Sequence, residues 1–345
     1  MKILAIDTSC DETAAAVTEN REILSNIVWS QASLHAKFGG VMPSLAQRKH
    51  EERIDFVVEK AIKTSGVNIN DIDAIAVTIG PGLSIALGVG INKAKELAKI
   101  HNKPLIPINH VESHLLSPLA HNDLEVSLPA FGLVLSGKNT LFILIEEIGK
   151  YKILAETQDD ALGEALDKSA RLLGFGYPGA SILERIAKEG NPNSYSLPVP
   201  LNLDKVKDRF SYSGVKTALV RLFNSINEPN KEIISNLAAS FQNVAFEHIT
   251  RVMNYQMGVI KESGINTKDL LFGGGVAHNV EIRKRLRDIC KKHGISLRVP
   301  YSKKLLGDNA AMIGVCAYLK YKSSTLEEFK NIDEIDRKPK LKITD

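Results

Sequence analysis

Hydrophobic and polar positions alternate along this chain in a pattern that occurs twice. The apolar run Ile3 to Asp7 breaks into a polar turn, Thr8-Ser9-Cys10-Asp11-Glu12-Thr13, and the runs Ala14 to Thr18 and Ile23 to Trp29 follow. Short apolar runs divided by turn residues predict three consecutive strands, a meander. The period then becomes helical. A long helix is predicted over Pro43 to Ser65 and an amphipathic one over Ile85 to His101. Between them a buried strand is predicted over Ile72 to Ile79, ending in Gly80-Pro81-Gly82, and a further strand over Leu105 to Ile108. A second meander is predicted over Ala130 to Ser136, Leu141 to Glu147 and Tyr151 to Thr157. A helical region from Asp160 to Glu262 follows. Next come a strand over Asp269 to Phe272, broken by Gly273-Gly274-Gly275, a basic helix over His278 to His293, a strand over Ile295 to Val299, and a helix opening at Asp308.

Two meanders, each followed by helices and strands, predict a duplicated α/β architecture. That layered repeat is the one of actin-like and sugar-kinase-like ATPases, the ASKHA fold. Its two lobes each carry a meander-led mixed sheet flanked by helices, with the ligand in the cleft between lobes. The expected division is an N-terminal lobe over 1–125, completed by the C-terminal helix 309–325, and a C-terminal lobe over 126–308. A charged tail, 326–345, is expected to be loose from Asp333 onward.

Composition narrows the class only slightly. A length of 345 residues is enough for two cores. With 44% hydrophobic and 24% charged residues, the chain reads as an ordinary globular protein. A formal net charge of +4 does not by itself imply nucleic acid. The three cysteines, Cys10, Cys290 and Cys316, form no disulfide framework and fit a reducing compartment. No signal or transit segment and no apolar run of about 18 residues is present, so a cytoplasmic location without membrane attachment is expected.

Candidate chemistry gathers at the turns. His110 and His114 stand four apart in Asn109-His110-Val111-Glu112-Ser113-His114, so on a helix both rings share a face. Such a pair is common without a metal. Asp308 at the head of an Ala-rich stretch adds a carboxylate, and two imidazoles with a carboxylate are a common shell for a divalent transition metal. Zinc proteases place a Glu directly after the first His. Here the acid is Glu112, rotated roughly 200° from His110 and off the metal face. Asp11 and Glu12 are either turn formers or groups that orient substrate beside the metal. Ser136-Gly137-Lys138-Asn139-Thr140 offers backbone N–H groups and a cation to a phosphate. Gly274 and Gly275 let backbone approach a nucleotide, although a plain tight turn would also explain them. The basic run Arg283 to Lys292 is either a solvated helix face or an RNA contact.

Together these runs resemble one family over about Lys2 to Lys320, the TsaD-type tRNA adenosine threonylcarbamoyltransferases. The matching runs are Ile6 to Thr13, Phe38 to Pro43, Gly80 to Leu83, Asn109 to His114, Gly163 to Lys168, Leu172 to Gly179, Phe210 to Thr217, Gly273 to Ala277 and Asp308 to Ile313. The resemblance implies the actin-like two-lobe fold and one divalent metal, iron(II) or zinc, on His110, His114 and Asp308. It implies that threonylcarbamoyl-AMP lies across Val134, Leu135, Ser136, Gly137 and Lys138, where ATP, ADP or AMP could also sit. Asp167, Gly179, Ala180, Glu184 and Asn279 would surround the adenosine end. The acceptor would be the N6 amine of the adenosine 3′ of the anticodon in ANN-decoding tRNAs, with release of AMP. The implied partners are tRNA, a paralogous TsaB-like subunit and a TsaE-like ATPase, in a heterodimer or homodimer.

The chain departs from the family pattern in four places. Lys138 stands where the family usually has Gly, Ala180 follows Pro178-Gly179 in place of a second Gly, His278 replaces a small residue, and Val134 stands where some relatives carry a metal-binding Tyr. Lys138 and Ala180 leave one alternative, a divergent metal- and nucleotide-binding subunit with impaired transfer, and the shared fold leaves a second, an ATP hydrolase or sugar kinase.

Overall fold

The computed structural model describes residues 1–121, 124–201, 207–323 and 331–345. The chain runs β1 (Lys2–Asp7), β2 (Glu12–Glu19), β3 (Glu22–Ser30), α1 (Ala32–Ala36), α2 (Pro43–Ser65), β4 (Ala74–Gly80), α3 (Ser84–Ile100), β5 (Leu105–Asn109) and α4 (His110–Leu116). It continues through β6 (Ala130–Leu135), β7 (Thr140–Glu147), β8 (Lys150–Thr157), α5 (Leu162–Leu172), α6 (Ala180–Ala187), β9 (Arg209–Phe210), α7 (Ser213–Asn224) and α8 (Lys231–Glu262). It ends with β10 (Asp269–Gly273), α9 (Val280–His293), β11 (Ser296–Arg298) and α10 (Ala310–Ser323). Two compact units result. One holds Met1–Val126, Glu147–Tyr151 and Val299–Asp345, and the other holds Ser127–Glu146 and Lys152–Arg298.

The first unit is built on a sheet of order β3-β2-β1-β4-β5. The meander β1 to β3 is antiparallel, and β4 and β5 add in parallel to β1. Strand alternation divides its side chains between two faces. Leu4, Ile6, Val17, Ile75 and Val77 pack with Ile54, Val57 and Val58 of α2 and Leu87 and Ile91 of α3. The opposite face is a row of small residues in register, Ala16, Ala5 and Ala76. α10 packs on this sheet too, and its position shows the need for small residues. A Cβ on Gly314 would fall 2.6 Å from Thr18 Oγ1, so only glycine allows that approach. The first two turns of α10 are apolar on every side, with Ala310, Ala311, Met312, Ile313, Val315, Cys316 and Ala317 all buried, as a helix segment inside a core must be.

The second unit carries a sheet of order β11-β10-β6-β7-β8-β9. β6 and β7 are antiparallel, while β10 runs parallel to both β6 and β11. α8 buries Leu237, Phe241, Phe246, Ile249 and Met253. β10 stops at Gly274, whose φ of +95° suits glycine and whose Cβ would meet Leu135 O at 2.4 Å.

Three sequence expectations change. The helical region Asp160 to Glu262 is broken, because Asp159 accepts N–H groups of Tyr212 and Ser213 and Arg209–Phe210 adds to β8 as an edge strand. The basic helix begins at Val280. Asn279 Oδ1 accepts from Glu281 N and Ile282 N and so sets its cap, while Gly275–His278 forms a 3-10 turn. The tail is not loose over 331–345: Lys338 N donates to Ile79 O, Gly82 N to Pro339 O, and Asn109 Nδ2 to Lys342 O. Ile332, Ile335 and Leu341 also lie against the α2–α3 side of the core. Charge misled the sequence reading here, since three spaced apolar residues anchor the segment. Residues 324 and 325 of the expected returning helix lie outside the described residues.

Candidate metal centre and nucleotide pocket

The metal candidates all belong to the first unit. β5 ends at Asn109, whose side-chain oxygen accepts from Val111 N and Glu112 N and starts α4 there. That start puts His110 and His114 one turn apart, with ring centroids 4.7 Å apart at 81°. Asp308 sits just before α10, whose first turn is capped by Asn309 through Met312 N. Asp308 Oδ1 lies 3.0 Å from His114 Nε2 and 3.6 Å from His110 Nε2. One donor atom from each of the three residues lies within 4.8 Å of the others, and both histidines are buried.

Support behind His110 fits a metal ligand. Ser9 Oγ is 3.2 Å and Asp7 Oδ2 3.7 Å from His110 Nδ1, so that nitrogen faces the loop after β1 and Nε2 faces the cluster. Such outer partners fix ring orientation and raise ligand basicity. Asp7 is fully buried and also accepts from Ser9 N. Burial opposes a charge on His110, but the Asp308 and Asp7 carboxylates outweigh it and raise its pKa to about 10. Burial likewise opposes charge on Asp308, yet the two histidines hold its carboxyl well below the usual range. The cluster therefore holds positive charge next to a carboxylate, an arrangement that a divalent cation can replace. His114 Nδ1 is buried without a hydrogen-bond partner among the described residues.

Asp11 and Glu12 stand at the turn between β1 and β2. Asp11 is buried, and its carbonyl accepts from Gln31 N. Glu12 takes a hydrogen bond from Ser30 Oγ at 2.9 Å. Burial first, then the Asp11 and Asp308 charges, raise the Glu12 carboxyl well above its usual range. Glu112 does not point at the cluster, and its carboxylate meets Tyr151 and Lys320 instead. That geometry removes the protease base.

The nucleotide candidates belong to the second unit. A pocket of about 270 Å³ is lined by Gly137, Asp167, Ala180, Glu184, Gly275 and Asn279 among others. Asp167 Oδ1 accepts from Gly179 N at 2.8 Å and Ala180 N at 2.7 Å, which shapes the turn into α6. Glu184 Oε1 accepts from Val280 N, and Asn279 Nδ2 donates to Gln242 Oε1. Asp167, Glu184 and Asn279 are thus each hydrogen-bonded at the pocket wall. Gly274 adjoins the pocket where it crosses Leu135. Val134 and Leu135 are wholly buried in β6, with Val134 paired to both β10 and β7, whereas Lys138 is exposed at the turn beside Ser136. Sequence reasoning missed Asp7 and Ser9 as support for His110. The signal was there, since an acid ending an apolar strand has to be accounted for once it is buried.

Among solved structures, the chain shares its fold with full-length HypF in a phosphate- and nucleotide-bound form (TM-score 0.56, 14% identity, 94% of this chain and 56% of that one). It also matches the activator of a 2-hydroxyisocaproyl-CoA dehydratase from Clostridium difficile with bound ADPNP (TM-score 0.50, 15% identity, 96% and 99%). At such identities the likeness speaks for the fold alone. The chain is an α/β protein with the actin-like ATPase fold, carrying a His-His-Asp cluster in its first unit.

The family TsaD: tRNA N6-adenosine threonylcarbamoyltransferase matches residues 22–315. A tRNA N6-adenosine threonylcarbamoyltransferase of Clostridium perfringens is 45% identical over 99% of this chain and 98% of its own length. One from Pelagibacter ubique is 42% identical over 96% and 92%. The chain belongs to the TsaD family and is a transferase that threonylcarbamoylates adenosine in tRNA. No helix among the described residues is long and apolar enough to cross a membrane.

Proposed function

We propose that this chain moves the threonylcarbamoyl group from threonylcarbamoyl-AMP to the N6 amine of the adenosine 3′ of the anticodon in ANN-decoding tRNAs. His110, His114 and Asp308 would hold one divalent metal, iron(II) or zinc. The carrying observation is the buried three-donor cluster with His110 Nδ1 facing Ser9 and Asp7. Its mixed nitrogen and oxygen donors suit either ion.

When bound, the metal supplies a Lewis acid that polarises a carbonyl oxygen. The amine attacks the carbamoyl carbon, the bond from that carbon to the phosphate oxygen breaks, AMP departs with the electron pair, and the proton lost by the nitrogen passes to solvent. AMP is a good leaving group, so no covalent enzyme intermediate is needed, and positioning is the main task. Asp11 and Glu12 orient the amine and the threonyl part. The pocket of the second unit takes the nucleoside, with Asp167 and Glu184 as acceptors for ribose hydroxyls and Asn279 beside them. The turn Ser136-Gly137-Lys138, following Val134 and Leu135, takes the phosphate, with Lys138 as its cation. Gly179 and Ala180 bound the nucleoside, and Gly274 and Gly275 let the backbone close on it. Family membership supports a TsaB-like paralogue and a TsaE-like ATPase as partners and a cytoplasmic setting.

The test is reconstitution with those partners, threonylcarbamoyl-AMP and an ANN-decoding tRNA, scored by mass spectrometry of digested nucleosides beside His110→Ala. Product from the wild type and none from the variant is expected. Equal product from both would sink the metal assignment. Metal analysis of anaerobically purified protein identifies the native ion.

A further inference from the structure

Glu112 is 3% exposed, and both of its carboxylate oxygens are engaged. Tyr151 donates to Oε1 at 2.8 Å, and Lys320 Nζ sits 3.1 Å from Oε2. The Tyr151 hydroxyl also accepts from Gly149 N at 3.0 Å, which closes the turn at 147–151. A buried carboxylate of this kind is costly unless fully paired, and removing one partner leaves the other charge stranded. Glu112 has no place in the transfer chemistry, so its burial calls for another explanation.

Its neighbours supply one. α4 carries Glu112 and two of the candidate metal ligands, His110 and His114. α10 follows directly on the third, Asp308, and carries Lys320. Lys320 lies about 15 Å along the helix from its first residue, at ~1.5 Å rise per residue. The two helices therefore meet at two separated points: His114 against Asp308 at the head of α10, and Glu112 against Lys320 near its far end. α4 is seated by the Asn109 cap and by buried Val111 and Leu115, and the second point adds a polar hold on its rotation. Glu112 and the histidines project on different sides of α4, so the clamp grips the helix from behind without competing for the ion.

We propose that Glu112 is a positioning residue for the metal centre. Its links to Lys320 and Tyr151 set the rotation of α4, and with it the distance of His110 and His114 from Asp308. This rests on the metal reading above. The prediction is that Glu112→Gln and Lys320→Met each weaken zinc(II) binding by about tenfold or more, as loss of outer partners does at other metal sites. Each would also alter the visible spectrum of the cobalt(II)-substituted protein, while circular dichroism at 20 °C stays native (about 20 °C being well below the unfolding range of an ordinary domain). Glu112→Asp should recover part of the affinity.

Zinc affinity is measured by competition against a chromophoric chelator, with the wild type alongside. Wild type that binds no zinc or cobalt overturns the metal reading itself and this proposal with it. Variants that lose thermal stability but keep wild-type zinc affinity and cobalt spectrum overturn this proposal alone, because Glu112 is then only structural. Tyr151→Phe, which deletes a single hydroxyl, carries the test if the other variants do not fold. A few-fold weaker zinc affinity is expected of it, and no change overturns the proposal.

Discussion

His114 Nε2 and Asp308 Oδ1 lie 3.0 Å apart across 194 residues of chain. Their meeting depends on α10 returning to the first sheet, where a face of alanines, met by Gly314 of α10, leaves room for it. Asparagine caps fix the starts of both helices involved: Asn109 starts α4, which carries His114 one turn on, and Asn309 caps α10 directly after Asp308. The relation is thus set by local capping at both ends and by packing in between.

Asp7→Asn is expected to weaken zinc binding by about 10–100-fold, because it removes the charge behind His110 Nδ1. Chelator competition reads the effect. An unchanged affinity would show that Asp7 only buttresses the loop after β1.

Gly314→Val is expected to cost about 1–3 kcal/mol through overpacking against Thr18. Urea unfolding measures it. Adding Thr18→Ala should restore part of the loss, since the shortened side chain vacates the clash, and no recovery would place the strain elsewhere.

His248 is fully buried between Phe210 and Tyr212, and its Nε2 accepts from Ser211 N. Burial, then Arg251, lowers its pKa from 6.5 to about 4. The unfolded chain therefore binds this proton first. Stability is full above pH 6.5 and falls as the pH drops toward 4, by at most about 3 kcal/mol. Unfolding at stepped pH should show that loss, and His248→Gln should flatten it.

On α9, Arg285 is committed to Glu281 and Asn243, while Lys284, Arg287 and Lys291 are exposed. Reversing the three exposed charges should reduce the salt slope of tRNA binding by about 0.7–0.9 for each phosphate that is no longer neutralised. A slope equal to that of the wild type means α9 is only a solvated face.

Asn109→Ala removes the α4 cap and the bond to Lys342 O together. About 1 kcal/mol of stability should go with the cap. Faster hydrogen exchange over 338–345 should accompany it if Asn109 also anchors the tail.

Much of this was legible in the chain. The apolar runs of both meanders and the helix Pro43–Ser65 were readable because strand and helix periods are local properties, set by burial of one face. The pairing of His110 with His114 followed from helical spacing. Boundaries that depend on side-chain capping, such as the start of α9 at Val280, were less legible. The Asp159 bonds that break the long helical region were not legible at all, for they join residues more than fifty apart.

By itself, then, the sequence determined the alternation of strands and helices, the donor types available to a metal, and the family, because all of these are written in local order. Only the tertiary structure decided that Asp7 and Ser9 stand behind His110, that Glu112 is turned toward Tyr151 and Lys320, and that residues 331–345 of the tail lie down on the first sheet's unit. Those are long-range pairings of side chains and backbone. Their partners are chosen by which faces pack together, and no spacing along the chain records that choice.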